Sequence, residues 1–299
     1  MPTVSDCPGK VFIAGEYAVL AGGRAILAAT EPRFSLSRDP AVGAPVISFH
    51  PRSPAGRLLT HLSVVERARV LQSYIDDPLQ GAGGFGASTA QFALVLKQVF
   101  PALRVQDVWR LYRELHADEQ VAPSGADLFV QWEGGLQLWQ GEGKGQALHL
   151  HPQRDFEIAV IAAGHQPGRK VATHDHLPRL VEIQAGRASW MTGFSQAVEQ
   201  TIQWVETPNG QALGAALSKV GQVLRSQGLE IAATTRDLHS LESVRGVLGA
   251  KGAGAIQADA LVAVVDRAHL SEVPEWCASR NLQFLGWLND SLAGIRNLT

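Results

Sequence analysis

Short apolar runs punctuated by glycine open the chain, at residues 10–13, 17–20 and 25–30, and two-residue alternation follows at 34–37 and 46–49. Runs of this length bounded by Gly and Pro predict strands of a sheet. The pattern turns helical over 58–74, where Leu62, Val65, Val70 and Leu71 recur among charged residues. Glycines crowd residues 81–86, and residues 87–100 then hold neither Gly nor Pro, so a glycine loop feeds a helix. A second helix is predicted over 105–116, with Val108, Leu111, Tyr112 and Leu115 on one face. Residues 123–127 read as a turn into another short element, and Gly134-Gly135 precedes an alternating strand at 136–139.

From Phe156 the pattern resets. A strand over 156–163 is followed by a polar loop over 165–176 and by long helices to about residue 243. A strand and turn over 246–255, a strand over 260–266, a helix over 270–279 and a strand over 282–287 complete the reading. Strands and helices mixed in this way, with short connections, predict a two-layer α+β architecture. A boundary near residue 153 divides it into 1–153 and 154–299, and no internal repeat is visible.

Composition narrows the function classes. Of 299 residues, 45% are hydrophobic and 18% charged, enough apolar surface for a folded core and too much for a disordered chain. A net charge of -2 supplies no global attraction for nucleic acid or an anionic membrane, so any anion is held by a local site. No apolar run approaches the roughly 18–20 residues that span a bilayer. The start, Met-Pro-Thr-Val-Ser-Asp, lacks a secretory pattern, and a cytoplasmic protein is expected. Cys7 and Cys277 have neither metal spacing nor a disulfide framework and read as reduced thiols, Cys7 beside a candidate site.

Three segments carry candidate chemistry. In the first, Lys10 opens a run that Gly15-Glu16 closes, placing a cation and an anion near opposite ends of one buried element. In the second, residues 83–90 (Gly-Gly-Phe-Gly-Ala-Ser-Thr-Ala) run into a helix start. Successive amides there form a concave anion site, and the helix dipole adds roughly half a positive charge. Ser88 and Thr89 either cap that helix or ligate a phosphate-bound Mg²⁺. Gly81, Gly83 and Gly86 spell the dinucleotide fingerprint, but the preceding residues 73–80 include Asp76-Asp-Pro and form no buried strand. A Walker A loop is excluded because no Gly-Lys-Ser/Thr closes the segment. In the third segment, Asp127 stands among apolar residues. It caps its own helix, is exposed, or finds a cation or hydrogen-bond donors; if Lys10 reaches it, the pair keeps it ionised and aimed at a hydroxyl.

Together and in this order, these segments resemble the GHMP kinase superfamily, which includes galactose, homoserine, mevalonate and phosphomevalonate kinases. Pro8-Gly-Lys-Val-Phe-Ile-Ala-Gly-Glu-Tyr-Ala-Val-Leu20 is similar to its first motif, nearest the phosphomevalonate kinase form. Gly84-Phe-Gly-Ala-Ser-Thr-Ala90 resembles the second motif, and Lys251-Gly-Ala-Gly-Ala-Ile-Gln-Ala-Asp259 a reduced third. Pro123-Ser-Gly-Ala-Asp127 resembles the segment of the catalytic aspartate. The resemblance implies a two-domain α+β fold. Residues 1–153 would form an ATP-binding and catalytic domain like domain 2 of ribosomal protein S5, and 154–299 a ferredoxin-like domain. It further implies Asp127 as base, Lys10 as its partner, and Gly83, Gly84, Phe85, Gly86, Ala87, Ser88 and Thr89 around the ATP phosphates. Mg²⁺ would be held by Ser88 and a second acidic ligand, Glu119 ahead of Asp118 and Glu114. On the acceptor side it marks Glu16, Tyr17, Lys251 and Gly252. The implied reaction is in-line attack of a substrate oxygen on ATP, with phosphomevalonate kinase placed ahead of mevalonate kinase. The expected partner is a mevalonate-like acid or its phosphate, with no nucleic acid or membrane, acting on a monomer or homodimer. Another GHMP metabolite kinase, a catalytically silent nucleotide or metabolite sensor and the diphosphomevalonate decarboxylase branch are the alternatives.

A phosphorylated acceptor needs further cations. Arg169, Lys170, Thr173 and His174, in the loop after the strand at 156–163, are the candidates, with a solvated loop the plain alternative. Arg24 and Arg33 are weaker ones. His165, His174 and His176 match no standard zinc spacing.

Overall fold

The computed structural model describes residues 4–37, 49–166, 169 and 177–298. Two long strands, β1 (Val4–Ala14) and β2 (Ala25–Ser37), pair antiparallel and form the first sheet's spine. Residues 17–20, expected as a strand, instead form a short 3₁₀ turn (Ala18–Ala21), which Gly22 closes at φ 76°. The helical stretch expected over 58–74 is two helices, α1 (Pro54–His61) and α2 (Val64–Leu71). Ser63 causes the break: its hydroxyl accepts the Glu66 N–H at 3.3 Å while Glu66 accepts the Ser63 N–H at 2.9 Å. This reciprocal capping restarts the helix and leaves Val65 on the exposed side.

A short strand β3 (Tyr74–Asp76) pairs with β2, and α3 (Ala87–Val99), α4 (Val105–Leu115) and α5 (Ala126–Glu133) follow. Strands β4 (Leu136–Gly141) and β5 (Lys144–Leu148) complete that part. The second sheet begins with β6 (Phe156–Ala162). Helices α6 (Leu177–Gln184), α7 (Met191–Val205), α8 (Gly210–Ser226) and α9 (Ala232–Leu241) separate it from β7 (Val247–Ala253) and β8 (Ala260–Asp266). Helix α10 (Glu272–Ser279), β9 (Gln283–Trp287) and β10 (Arg296–Leu298) end the described chain. Of the strand expected at 46–49, residues 46–48 lie outside the described residues.

Among the described residues the first sheet runs β10-β1-β2-β4-β5 and the second β7-β8-β6-β9, all pairs antiparallel. The second order, with helices between β6 and β7 and between β8 and β9, is the ferredoxin-like arrangement. Strand β6 shows why its run is apolar throughout. Phe156, Ile158, Val160 and Ala162 face the core shared with the first sheet, while Ala159 and Ile161 face a separate core with α9 and α10. The last strand returns to the first sheet, where Arg296 and Arg33 both bond the buried Asp6. Arg33 thus braces strands and is absent from the cleft described below.

Candidate active site

Asp127 is the second residue of α5, a helix whose N-cap is Gly125 at φ 77° and which no side chain caps. Its carboxylate faces Lys10 of β1 instead, with Oδ2 3.1 Å from Nζ. The lysine side chain is 7% exposed and the aspartate 31%, so the pair is anchored at its cation and open at its anion. The glycine loop runs directly past this lysine. Lys10 N–H donates to the Phe85 carbonyl at 3.1 Å, and a Cβ on Gly86 would stand 2.9 Å from Lys10 Cγ. Buried Gln131 ties the same parts together. Its amide donates to the carbonyls of Pro8 (3.0 Å) and Gly86 (3.1 Å) and accepts the Thr89 hydroxyl at 2.6 Å.

Gly84 and Gly86 sit at φ 88° and 78°, the left-handed region that glycine adopts without strain. Gly86 is the N-cap of α3, which has no side-chain cap. The positive end of α3 therefore faces a cleft of about 580 Å³. Lys10, Glu16, Ser88, Asp127 and Asp259 are polar residues on its walls, and Phe12, Val19, Leu20 and Leu180 are apolar ones. Ser88 is exposed there and takes no cap role, whereas Thr89 is buried and committed to Gln131. A larger hollow of about 710 Å³ lies between residues 18–23 and α7. Its one charged lining residue among those described, Glu199, is already bonded to Arg24, so the smaller cleft holds the candidate chemical groups.

No family model matches the sequence, and no curated protein matches it significantly. Solved structures do match it along its whole length. The Lin0012 protein from Listeria innocua aligns with a TM-score of 0.76 at 16% identity, covering 100% of this chain and 99% of its own. Lactococcus lactis galactokinase complexed with galactose aligns with a TM-score of 0.75 at 15% identity, covering 99% and 95%. Streptococcus pneumoniae phosphomevalonate kinase in complex with phosphomevalonate and AMPPNP aligns with a TM-score of 0.71 at 14% identity, covering 99% and 99%. The chain has the GHMP kinase fold. The expected fold class is thereby met.

Within this fold the remaining predicted residues separate into those at the cleft and those that are not. Glu16 and Tyr17 line it. Tyr17 accepts the Ile256 N–H at 3.2 Å, and burial, before any charge effect, raises its pKa, so it stays protonated. Lys251 does not line the cleft. It is fully buried on β7, with Nζ 2.8 Å from Glu16 Oε1 but out of line for a hydrogen bond, and Glu16 Oε2 has no donor. Gly252 also lies off the cleft, so close to Gln257 that a Cβ would stand 2.5 Å from its Cβ. The acceptor role expected for these two residues is corrected: Gly254, Ala255 and Asp259 are the third-segment residues that reach the cleft.

Arg169 is likewise corrected. It is 2% exposed, ion-paired with Asp237, and donates to Gln166 Oε1 (2.9 Å), Thr234 Oγ1 (3.2 Å) and the Ala258 carbonyl (3.3 Å). A guanidinium so engaged braces the third segment and is not available to an acceptor. Lys170, Thr173 and His174 lie outside the described residues. Glu119 is off the cleft, 3.2 Å from Arg57 Nη2, and Asp118 bonds the same arginine at 2.6 Å. Among the described residues no group of three or more His, Cys, Asp or Glu is placed to hold a metal, and no helix is long and apolar enough to cross a membrane.

Three residues with no role at the site assigned from sequence also belong to it. Gln131 braces the loop, and Tyr112 lines the cleft with a phenol whose pKa is raised by burial first and then by Asp127. Asp259 packs against the glycines, and desolvation raises its pKa despite the Ala255 N–H at 3.2 Å. The third segment is also strained. Ile256 and Gln257 sit at φ 49° and 50°, where a β-branched residue costs about 1–2 kcal/mol.

Two expected results follow from this packing. Gly84→Ala would place a Cβ 2.4 Å from Asp259 Cβ at φ 88°. Titration with AMPPNP is expected to show an affinity loss of about tenfold or more with the fold retained by circular dichroism; wild-type affinity would place the phosphates elsewhere. Both thiols are buried; burial pushes the Cys7 thiol up, and that of Cys277 to about 12. A thiol-exchange reagent at pH 8 is expected to label neither residue in native protein and both in denaturant. Rapid labelling of the native chain would contradict this.

Proposed function

We propose that this chain is an ATP-dependent kinase that phosphorylates a small molecule. The observation that carries the reading is the Lys10–Asp127 pair at 3.1 Å, in the cleft onto which the glycine loop and the N-terminus of α3 open. The phosphate tail of the nucleotide rests on amides between Gly83 and Ser88, where the helix dipole favours anionic charge. The γ-phosphoryl lies towards Lys10, whose buried ammonium draws charge from it and keeps the Asp127 carboxylate oriented.

The acceptor oxygen attacks the γ-phosphorus in line. The bond to the β,γ-bridging oxygen breaks, ADP departs, and a hydroxyl acceptor gives its proton to Asp127. Positioning and charge neutralisation account for most of the acceleration. Ser88 and a cleft carboxylate offer the hard oxygen donors that suit Mg²⁺, which supplies charge neutralisation at the β- and γ-phosphates when bound. We place residues 1–153 in the catalytic domain and 154–299 in the second, with Gly254, Ala255 and Asp259 of the second reaching over the cleft.

For the acceptor, an alcohol or phosphate of the mevalonate pathway is proposed, on the form of the first motif and on the presence of a phosphomevalonate kinase among chains of this fold. Phosphomevalonate loses the support that Arg169 would have given, and with an anionic acceptor Asp127 orients the nucleophile without taking a proton. The test is a coupled ADP-release assay over mevalonate, phosphomevalonate, galactose and homoserine. Turnover with one of them, without carbon dioxide release, is expected. Carbon dioxide release would move the chain to the decarboxylase branch. Nucleotide binding without turnover on any acceptor would favour a sensor.

A further inference from the structure

We propose that Asp259 is a ligand for the divalent cation that accompanies the nucleotide phosphates. The proposal rests on the kinase reading above. Of the carboxylates expected in this role, Asp118 and Glu119 are bonded to Arg57 and Glu114 is exposed, and none of them lines the cleft. The carboxylates that do line it among the described residues are Glu16, Asp127 and Asp259.

Asp259 lies closest to the phosphate-binding amides. A Cβ on Gly83 would stand 2.3 Å from its Oδ1, one on Gly84 2.4 Å from its Cβ, and one on Gly254 2.2 Å from its Oδ2. Glycine at these three places leaves room for this one side chain. Its backbone is pinned as well, for its carbonyl accepts the N–H groups of Ala163 (2.9 Å) and Gly164 (2.8 Å). The carboxylate is thus held against the loop by the end of β6 and by the third segment together.

Its charge is poorly met there. Oδ2 accepts the Ala255 N–H at 3.2 Å, and among the described residues no hydrogen-bond donor serves Oδ1. Lys10 and Arg169 are the cations that bear on it, and both are engaged, with Asp127 and Asp237. Glu16, on the same wall, has its charge offset by the buried Lys251 ammonium 2.8 Å away, which leaves Asp259 the less compensated acid there. The Glu16 side chain is 6% exposed, its Oε2 lacks a donor, and it and Asp259 both bear on Tyr17.

A carboxylate beside amides that hold phosphate repels the phosphate unless a cation stands between them. Mg²⁺ fits that place, since it takes one or two carboxylates and completes its shell with phosphate oxygens and water.

Asp259→Asn is the informative variant, because the amide oxygen still accepts the Ala255 N–H and the shape is unchanged. AMPPNP affinity is measured by calorimetry with excess Mg²⁺ and again in EDTA, for the wild type, Asp259→Asn and Glu119→Gln. Asp259→Asn is expected to weaken binding with Mg²⁺ by about 10- to 100-fold and to leave binding in EDTA unchanged or tighter. Glu119→Gln is expected to change neither. Equal loss in both conditions would make Asp259 a purely structural residue. An unchanged affinity with Mg²⁺, or a loss reproduced by Glu119→Gln, would also overturn the assignment. A wild-type chain that binds AMPPNP in neither condition would defeat the kinase reading itself, a result distinct from a variant that binds as the wild type does. Melting temperatures of the variants, read in parallel, separate unfolding from lost binding.

Discussion

Asp127→Asn is expected to lower turnover by about 10²- to 10⁴-fold while AMPPNP affinity stays within several-fold of the wild type. Asparagine keeps the size of the side chain and an oxygen that Lys10 can reach, but it does not accept the proton of a substrate hydroxyl. The position is partly exposed whereas Lys10 is buried, so the variant keeps the wall of the cleft and loses only the charge at its rim. Rapid-mixing measurement of ADP release, with the acceptor chosen by the screen, reads the effect. Full turnover would remove Asp127 from the chemistry. A moderate loss confined to hydroxyl acceptors would fit an orienting role for anionic ones.

The second large effect concerns stability. Arg169→Ala is expected to destabilise the fold by about 3 kcal/mol, the lower end of the range for breaking a buried ion pair. The lower end applies because Arg280 still holds Asp237 Oδ1 at 3.1 Å after the substitution. The Thr234 hydroxyl and the Ala258 carbonyl also lose a donor, and the third segment loses its brace. Arg169→Lys is expected to recover little, since one ammonium does not reproduce a fork that serves four partners. Denaturant unfolding checks both variants. A variant of wild-type stability with a selectively raised acceptor KM would return Arg169 to the acceptor site.

The local features of the fold were legible wherever chain chemistry is local. Residues 81–100 announce a glycine turn and a helix because Gly supplies the left-handed corner and the following residues have no helix breaker. The run at 156–163 announces a strand buried on both faces. Ser63 and Glu66 could have announced the break between α1 and α2, for a capping box is visible at that spacing. The 3₁₀ turn at Ala18–Ala21 escaped because Tyr17, Val19 and Leu20 form a short apolar run that resembles a strand.

What depends on distant pairing was hidden. The arginine in the loop after β6 has the composition of an anion site, and only its approach to Asp237 in α9 makes it structural. Asp259 was visible as the end of a motif, but its contact with Gly83 and Gly84 exists only once the second sheet is docked on the first. Lys10 and Asp127 came from the order of motifs and not from composition, and their 3.1 Å contact is the fold's own contribution.

The most direct test of the account is a crystal structure of the chain with AMPPNP, Mg²⁺ and the acceptor that the screen identifies. Phosphates are expected on the amides between Gly83 and Ser88, with the γ-phosphorus between Lys10 and an acceptor oxygen that lies within hydrogen-bond reach of Asp127. Phosphates bound away from this loop, or an acceptor oxygen remote from Asp127, would contradict it.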